Sequence, residues 1–301
     1  MGCFFMSKSK KMLQASLLLE HEGMLRCPLC SSQMKLVGFA SLICIKKHCF
    51  DLAKHGYVNF LTRSHQTKYD KRLYQCRRVI WRSGFFTPVS DLISAWMMSE
   101  FRVASDQMAV LDAGCGEGSL LSDVRRKVIH RAAHHLDFAG VGMDISKPGI
   151  EMAAKEDPQL IWCVADLANC PFGDKQFDFI LNVLSPSNTA EFKRMIRDEG
   201  VVAKVVPGTK HLQELRRIIA PHAKKQTGAK QNALTHFKKH FALQDVVHTE
   251  YRVPLCPELI EPLMYMTPLS WGTTEEQAQW VREMVEPEMT VDLTILFGKK
   301  Q

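Results

Sequence analysis

The sequence predicts an α/β protein, with a mostly parallel sheet between helices and a small cysteine-bearing domain before it. Two observations support this prediction. After residue 100, short apolar runs alternate with helical segments, as in parallel sheets whose strands are joined by crossover helices. Before residue 62, a short segment with paired cysteines is too small to form a stable core by itself. The 301 residues and the 46% apolar content suffice for both units.

The chain divides into four predicted regions. These are a flexible extension (1–23), the small cysteine-bearing domain (24–61), a basic linker or helix (62–88) and the α/β domain (89–301). Met24 is an alternative start. The N-terminus has no continuous apolar segment of a secretory signal, and no apolar run reaches the ~18–20 residues of a membrane span. We therefore expect no membrane partner. Ten cysteines in a chain without a signal predict reduced thiols, with a metal site among them, in the cytoplasm.

Apolar periodicity predicts the elements in chain order. They are hairpin strands at 36–39 and 42–45, a helix at 86–101, parallel strands at 109–113, 138–145, 161–165, 177–183 and 201–206, and a final pair of strands near 243–253 and 289–297. Ser146 is expected to cap the helix that begins near Pro148. The final pair of strands could form an antiparallel edge of the sheet.

Four residues of the small domain have the spacing of a structural metal site. Cys27 and Cys30 form a Cys-x2-Cys pair, and Cys44-x3-His48 follows after thirteen residues. Two such turns direct four ligands at one point, and this donor set suits tetrahedral zinc. With no position left for water, the zinc would stabilise the fold. Cys49 is a rival fourth ligand, and the alternatives are a redox pair or unrelated core thiols.

The N-terminal part of the chain is strongly basic. Residues 1–82 hold fifteen Lys and Arg against four Asp and Glu, a net charge of +11, so the other 219 residues sum to −4. A basic lobe on a mildly acidic body is typical of a surface that faces a polyanion. A solvated, solubilising surface explains the charge equally well.

The most basic stretch, residues 62–83, carries the predicted RNA contacts. These are Arg63, Lys68, Arg72, Arg77, Arg78 and Arg82, with Tyr69, Tyr74, Trp81 and Phe85 among or beside them. Cations bind phosphates while aromatic rings stack on unpaired bases. A second basic stretch covers residues 221–240. The alternative is one amphipathic helix with Leu73, Cys76 and Ile80 packed inward, and both interpretations can hold at once.

Residues 110–118, VLDAGCGEG, close a predicted strand and open a helix. Gly114 and Gly116 let the backbone pass close to a ligand, but the spacing differs from the dinucleotide-binding motif. Acidic residues end three successive strands at Asp112, Asp144 and Asp166, the last beside Leu167. Since the carboxyl ends of parallel strands meet at one edge, these acids predict one crevice for a ribose and an adenine. S-adenosylmethionine fits it, having no pyrophosphate. The alternative is three unrelated loop acids beside a chance glycine turn.

Two further segments follow later strands. Residues 177–186 contain the fourth predicted strand and the segment after it, with Asn182 and Ser185-Pro186. In this architecture, the end of the fourth strand faces the transferred methyl group. The proline-containing loop resembles, weakly, one that amino-methylating enzymes place against a planar base, and an ordinary proline turn is the alternative. His211, in the segment PGTKHL, opens a helix after the fifth strand. The residues alone place this histidine on the surface.

In combination, these motifs resemble one family. The segment with the four metal ligands, which we call the cysteine knuckle, leads into FDLAKHGYVNFL at 50–61. After it come Arg77-Arg78, GFFTP at 84–88, the glycine loop, and PGTKHL at 207–212. Residues 24–300 resemble the zinc-containing large-subunit ribosomal RNA guanine-N1-methyltransferases. The knuckle together with Lys-x-Gly-Tyr-Val-Asn is far more specific than the glycine loop, which many unrelated methyltransferases share.

The resemblance implies a class I Rossmann-like S-adenosylmethionine-dependent methyltransferase sheet behind a zinc domain that recognises RNA. Phe86 would lie against the cofactor, and Gly116 and Glu117 would contact its methionine part. His211 would reach the same pocket, contrary to a surface position. The substrate would be a guanine in a 23S ribosomal RNA hairpin that lines the peptide exit tunnel, and the enzyme would be a homodimer. One branch of the family is associated with resistance to tylosin-type macrolide antibiotics.

The implied reaction is attack of guanine N1 on the sulfonium methyl. N1 must lose its proton, and Asn182, Ser185 and His211 are the candidate acceptors. Because N1 is paired in a duplex, the target must be looped out or flipped. Two alternatives are open. A small-molecule methyltransferase leaves the knuckle and the basic region unexplained. A non-catalytic RNA-binding adaptor conflicts with the complete set of cofactor glycines and acids.

Overall fold

A computed structural model describes residues 10–63, 69–101, 107–132, 136–219, 229–267 and 288–301, together with Glu276, Gln279, Val281 and Glu283. The helices are α1 (Lys10–Glu20), α2 (Lys71–Arg82), α3 (Thr87–Glu100), α4 (Ser119–Arg131), α5 (Lys147–Glu156), α6 (Thr189–Met195), α7 (Gln213–Ile219), α8 (Ala229–His240) and α9 (Pro257–Met266). The strands are β1 (Met34–Val37), β2 (Ser41–Cys44), β3 (Cys49–Asp51), β4 (Val58–Asn59), β5 (Gln107–Ala113), β6 (Asp137–Asp144), β7 (Ile161–Val164), β8 (Phe177–Val183), β9 (Ile196–Pro207), β10 (Phe241–Pro254) and β11 (Glu288–Lys300). The predicted α/β alternation is confirmed.

Within the described residues, eight strands form one sheet in the order β10-β11-β9-β8-β5-β6-β7-β4. The pairs from β9 to β4 are parallel, and β11 is antiparallel to both of its neighbours. The predicted antiparallel edge pair is therefore confirmed. Strand β5 has β6 on one side and β8 on the other, so the strand order reverses at β5. A ligand crevice is expected at the carboxyl end of the strands there.

Hydrophobic cores cover both faces of this sheet. On one face, Ile93 of α3 and Val124 of α4 are fully buried. On the other face, Phe192 of α6 and Phe237 of α8 belong to the same core as Leu25 near the first cysteine motif. Apolar side chains of the cysteine-bearing segment thus help to cover the large sheet, which stabilises both.

Residues 24–61, which we call the N-terminal lobe, begin with a three-stranded antiparallel sheet, β1-β2-β3. The predicted hairpin forms, but Gly38 and Phe39 have φ of 61° and 54° and lie in its turn, so residues 38 and 39 do not belong to a strand. Further along, β4 pairs parallel with β7, and Leu25 bridges to Phe172. The lobe therefore adds a strand to one edge of the large sheet and also pairs with the segment between β7 and β8.

Helix α1 packs against the rest of the protein. Its residues Gln14, Ala15 and Leu18 are buried, and Gln14 Nε2 donates to the carbonyl oxygen of Pro158 at 2.7 Å. The predicted flexible extension is wrong for residues 10–20, because this stretch buries an apolar stripe and a hydrogen-bonded amide. Residues 1–9 lie outside the described part of the chain.

Helix α2 begins where Asp70 Oδ1 accepts a hydrogen bond from Leu73 N at 2.8 Å. Leu73, Tyr74 and Ile80 are buried, which confirms an amphipathic helix in the basic linker. The loop that follows α2 leads into α3 and the first parallel strand. In the described part of the chain, every helix is too short or too polar to cross a bilayer.

Candidate metal centre and cofactor pocket

The N-terminal lobe brings the predicted metal ligands together. One ligand atom from each of Cys27, Cys30, Cys44 and His48 lies within 4.8 Å of the others. His48 Nδ1 is 3.3 Å from Cys27 Sγ and 3.4 Å from Cys44 Sγ, and Cys30 Sγ is 3.7 Å from Cys44 Sγ. Tetrahedral zinc, with metal–ligand distances of about 2.0–2.3 Å, separates its ligand atoms by about 3.5–3.8 Å. The donor set and its spacing therefore fit structural zinc.

Two tight turns present these ligands. Ser31 N donates to the carbonyl oxygen of Cys27 at 2.7 Å, and Lys47 N donates to that of Cys44 at 2.8 Å. Ser31 and Lys47 have φ of 58° and 63°, a left-handed conformation that closes each turn tightly. The two ligand pairs consequently face the same point.

Cys49 lies outside the cluster. Its side chain is exposed on β3, with Sγ 3.6 Å from Asp51 Oδ1, whereas the neighbouring Phe50 is buried. Successive side chains of a strand point to opposite faces, so Cys49 points outward from β3. His48, and not Cys49, completes the metal site.

The glycine turn after β5 lies against the end of β6. Gly114 and Gly116 have φ of 86° and 60°, where glycine is the residue adopted without strain. Gly114 N donates to the carbonyl oxygen of Met143 at 2.8 Å, and Gly116 N donates to Asp144 Oδ2 at 2.9 Å. A Cβ atom at Gly114 would lie 2.7 Å from the Ser185 side chain, so the loop after β8 closely approaches this turn.

A cavity of about 630 Å³, including its open mouth, lies beside the turn. Four residues predicted to contact a cofactor line it: Phe86, Asp112, Gly114 and Glu117. Trp81 also lines the cavity, and its ring stacks on Phe86 with centroids 5.5 Å apart. The cavity thus has an aromatic wall as well as two carboxylates, and this arrangement can hold a ligand with both apolar and cationic parts.

Asp112 is the most deeply buried charged group of this cavity. Its side chain is 1% exposed, and Oδ2 has no hydrogen-bond partner among the described residues. Burial, helped by the nearby negative charge of Asp144, raises the pKa of Asp112 to about 8. A buried carboxylate oxygen without a partner is costly unless a ligand brings it a donor. S-adenosylmethionine carries an ammonium group and ribose hydroxyls, so these residues fit it.

The other two predicted acids follow the neighbouring strands. Both carboxylate oxygens of Asp144 accept backbone N–H bonds, at 2.8 and 2.9 Å, and burial raises the pKa of this residue. Asp166 follows β7, and its Oδ1 accepts a backbone N–H at 2.8 Å. Since β5, β6 and β7 are neighbours, the three acids share one edge, as predicted. The cavity lining beside Asp112 does not include Asp144, Asp166 or Leu167, whose cofactor contacts stay predictions.

Helix α2 contributes an arginine pair to this region. Arg77 lines the cavity, and its positive charge counteracts the rise in the pKa of Asp112. Arg78 Nε is 3.3 Å from Glu117 Oε2, and Arg78 Nη1 is 3.3 Å from Glu156 Oε2. This position beside the cavity differs from the RNA-facing surface that the sequence predicted for both arginines. Arg77 and Trp81 are four residues apart on one side of α2, a spacing that was visible in the sequence.

The other predicted RNA-binding residues have different surroundings. Arg63 is exposed, Arg72 pairs with Glu261, Arg82 pairs with Glu156, and Lys68 lies outside the described residues. Arg72 and Arg82 have side chains 57% and 62% exposed, so their ion pairs are weak and water can replace them. Their contacts with RNA stay predictions.

Asn182 and Ser185 belong to a hydrogen-bond network under the loop after β8. Asn182 Nδ2 donates to the carbonyl oxygen of Ala113 at 2.8 Å, and its Oδ1 accepts from Ser187 Oγ at 2.7 Å and from Lys204 Nζ at 2.5 Å. Ser185 Oγ donates to Ala113 O at 3.0 Å. Both predicted proton acceptors are therefore engaged in holding the loop, and the geometry favours a positioning role for them.

His211 is half-buried, and its Nδ1 atom is buried without a partner among the described residues. The surface position predicted from the residues alone is therefore wrong. Burial lowers the pKa of His211 to about 4, so the imidazole is neutral near pH 7. The lining of the cavity beside Asp112 does not include His211, and its approach to the cofactor stays a prediction.

Comparison with known proteins agrees with both parts of this site. The family profile described as "RlmA, N-terminal", a zinc ribbon, matches residues 25–68, and the profile "Methyltransferase domain" matches residues 110–200. The chain is 39% identical to "Putative 23S rRNA (guanine-N(1)-)-methyltransferase YxjB" of Bacillus subtilis (strain 168), over 92% of this chain and 98% of that protein.

Two further relatives are less similar to this chain. The chain is 30% identical to "23S rRNA (guanine(748)-N(1))-methyltransferase" of Streptomyces fradiae, over 64% of this chain and 66% of that protein. It is also 30% identical to "Putative 23S rRNA (guanine-N(1)-)-methyltransferase" of Micromonospora griseorubida, over 64% of this chain and 68% of that protein.

The sheet order, the glycine turn and the carboxylate-lined cavity define a class I S-adenosylmethionine-dependent methyltransferase with an N-terminal zinc ribbon. Within that class, the alignment with the Bacillus relative runs through both the lobe and the sheet. The chain belongs to the family of zinc-ribbon 23S rRNA (guanine-N1)-methyltransferases, as the sequence motifs implied.

Proposed function

We propose that this protein transfers the methyl group of S-adenosylmethionine to N1 of a guanine in a hairpin of 23S ribosomal RNA. The N1–methyl bond forms as the sulfur–methyl bond breaks, S-adenosylhomocysteine leaves, and the N1 proton is released. One chain contains both the zinc ribbon and the cavity beside Asp112, which we call the cofactor cavity, and this observation carries the proposal. The chain aligns with 98% of the length of a relative that is named for this reaction. A small-molecule methyltransferase would need the cavity and not the zinc ribbon.

Residues of the cavity would hold the cofactor, which supplies an activated methyl group. Asp112 Oδ2, buried and without a partner among the described residues, would accept a hydrogen bond from the cofactor's ammonium or hydroxyl groups. Phe86 and Trp81 would cover its apolar part and exclude water. Because the methyl is already activated, most of the rate comes from holding N1 and the methyl in line at short range.

The loop after β8 would present the target base. Asn182 fixes this loop to the end of β5, and Ser185 lies against the glycine turn. A base that enters here must leave its helical stack, since N1 is on the paired edge of guanine. Asn182 and Ser185 would thus determine where N1 lies relative to the methyl.

The basic surface would hold the RNA backbone. Arg63, Arg72 and Arg82 have exposed side chains, and Lys46 and Lys47 are exposed beside the metal site. Contacts of this kind fix the position of an RNA without reading its sequence. The lobe and α2 would therefore orient the hairpin so that one looped-out guanine reaches the cavity.

We also infer that the enzyme is a homodimer, acts in the cytoplasm, and belongs with the macrolide-resistance branch of the family. The similarity to the Streptomyces fradiae protein supports the last inference. Sedimentation equilibrium of the purified protein tests the dimer. Tylosin susceptibility of a host with and without the gene tests the resistance.

The decisive test is incubation of the protein with tritiated S-adenosylmethionine and 23S RNA, followed by primer extension. A methyl group on N1 blocks base pairing, so a single new stop should appear at the target guanine. An Asp144→Ala variant, expected to bind the cofactor weakly without unfolding, is the control. Label in small metabolites alone would favour a small-molecule enzyme, and cofactor binding without any label would favour a non-catalytic adaptor.

A further inference from the structure

A second cavity, of about 710 Å³ including its open mouth, lies between α6, β9 and α8. Its polar lining consists of Ser187, Thr189, Lys204, Asn232 and His236. Among the described residues that line it, none is acidic. The lining therefore offers an ammonium, two hydroxyls, an amide and an imidazole, which are the side-chain groups that proteins use to bind phosphate.

This cavity is separate from the cofactor cavity. Val183 and Val205 are paired on neighbouring strands, and Val183 lines the cofactor cavity. Lys204 precedes Val205 on β9, so its side chain leaves the opposite face of the sheet. A methyl acceptor must come within about 3.5 Å of the methyl carbon. The second cavity therefore suits a group that lies beside the target base, and not the target base itself.

Lys204 has no acidic partner among the described residues. Its Nζ donates to Asn182 Oδ1 at 2.5 Å and to the carbonyl oxygen of Ser185. Both acceptors are uncharged, and burial lowers the pKa of Lys204 to about 8. A partly buried cation without a counter-ion attracts an anion from outside.

Two lysines add positive charge to the surroundings of the cavity. His236 and His240 have ring centroids 4.8 Å apart, and burial, then the charge of His236, then the charges of Lys193 and Lys239 lower the pKa of His240, so both lysines lie near this ring. The same face of the sheet carries the N-terminal lobe, whose core is continuous with Phe192 and Phe237 around the cavity.

We infer that the second cavity binds one backbone phosphate of the substrate RNA, next to the guanine that is methylated. The inference rests on the proposed function. Lys204 lines this cavity, and its Nζ also donates to the carbonyl oxygen of Ser185 in the loop after β8. Val183 and Leu184, just before Ser185, line the cofactor cavity, so Lys204 links a phosphate bound here to that cavity. The phosphate therefore aligns the RNA relative to the methyl group.

The test uses RNA hairpins in which a single phosphate near the target guanine is replaced by an uncharged methylphosphonate. The variant is Asn232→Ala/His236→Ala, because both side chains are exposed and stand outside the Asn182 network. Lys238→Ala, an exposed residue of the same helix that does not line the cavity, is the matched control. Calorimetric titration with S-adenosylmethionine should give the same affinity for all three proteins.

When the methylphosphonate replaces one particular phosphate of the hairpin, the wild type and Lys238→Ala should bind the RNA about tenfold more weakly than they bind the unmodified hairpin. The double variant should already bind the unmodified hairpin about tenfold more weakly, and should lose clearly less than tenfold with that analogue, because Lys204, Ser187 and Thr189 still line the cavity. Equal losses in all three proteins at every position would overturn the phosphate site. If the wild type methylates no ribosomal RNA at all, the proposed function fails instead, and the two failures are thus distinguishable.

Discussion

Asp112 shows how one buried residue can link folding to cofactor binding. In water an aspartate has a pKa near 4, but burial raises that of Asp112 to about 8. Between about pH 4 and pH 8, the folded protein therefore holds a proton that the unfolded chain has already released. A ligand that brings a donor to the empty Oδ2 position favours the ionised carboxylate and offsets this cost.

We predict that the free protein loses thermal stability as the pH rises from about 6.5 to 8, above the range in which the lowered pKa of His211 acts in the opposite direction. Between these values Asp112 is protonated in the folded state and ionised in the unfolded state, so its contribution to the free energy of unfolding decreases with pH. Asp112→Asn should reduce this slope without abolishing it, because burial also raises the pKa of Asp144. Melting temperatures measured across this range by calorimetry test the prediction.

The control for this experiment is Asp245→Asn, which changes an exposed carboxylate on β10. This variant should keep the slope of the wild type. Identical slopes for the wild type and Asp112→Asn would show that Asp112 is ionised in the folded protein, and would remove the reason for assigning it to the cofactor.

At the scale of elements, α2 connects the basic region with the cofactor cavity. Arg78 is 15% exposed and bridges Glu117, which lines the cavity, to Glu156 at the end of α5. Removal of one partner from a mostly buried ion pair leaves the other charge without compensation. The position of α2 over the cofactor cavity therefore depends on this arginine.

We predict that Arg78→Ala destabilises the protein by about 3 kcal/mol and weakens cofactor binding. Arg82→Ala is the matched control, because Arg82 pairs with the same Glu156 but is 62% exposed. It should cost less than about 1 kcal/mol and leave the cofactor affinity unchanged. Urea unfolding and calorimetric titration measure both effects. Similar losses for the two variants would contradict a special role of Arg78.

A helix, strand or metal site is predicted well from the sequence when one local pattern of residues determines it. Apolar runs give the order of the parallel strands, and the spacing of Cys27, Cys30, Cys44 and His48 gives the metal site. Helix α1 is missed because its stability comes from packing against distant residues, such as the bond from Gln14 to Pro158. Local periodicity contains no information about such contacts.

The same reason explains what the sequence misses in the site. Arg77 and Arg78 look like solvent-exposed cations in a basic stretch. How α2 packs determines that Arg78 pairs with Glu117 and that Arg77 lines the cavity. Lys204 lies in an apolar strand without any motif, and it meets Asn182 because β8 and β9 are neighbours in the sheet. Pairing between distant segments determines both features, and a single sequence does not record it.

At the scale of the whole molecule, the positive charge is concentrated in residues 1–82, and this predicts that RNA affinity decreases as the salt concentration rises. The association constant should fall linearly with salt on a log–log plot, because bound phosphates release counter-ions. We predict that Arg63→Ala lowers the magnitude of this slope by about 1, since Arg63 is exposed in the basic region. Arg78→Ala should leave the slope unchanged, because its charge is engaged with two glutamates. Filter binding of the hairpin at several salt concentrations measures both slopes, and equal changes would contradict the assignment.

We expect bound zinc to stabilise the methyltransferase sheet as well as the N-terminal lobe that holds the metal. Leu25 bridges to Phe172 and β4 lies in the large sheet, so a disordered lobe would expose one edge of the methyltransferase core. We predict that Cys30→Ser loses the zinc, lowers the melting temperature of the whole protein, and weakens RNA binding more than cofactor binding. The control Cys49→Ser removes an exposed thiol outside the cluster and should keep the metal. Metal analysis, calorimetry and the two titrations test this together. A Cys30→Ser protein that melts like the wild type would show that the sheet is stable without the zinc-bound lobe.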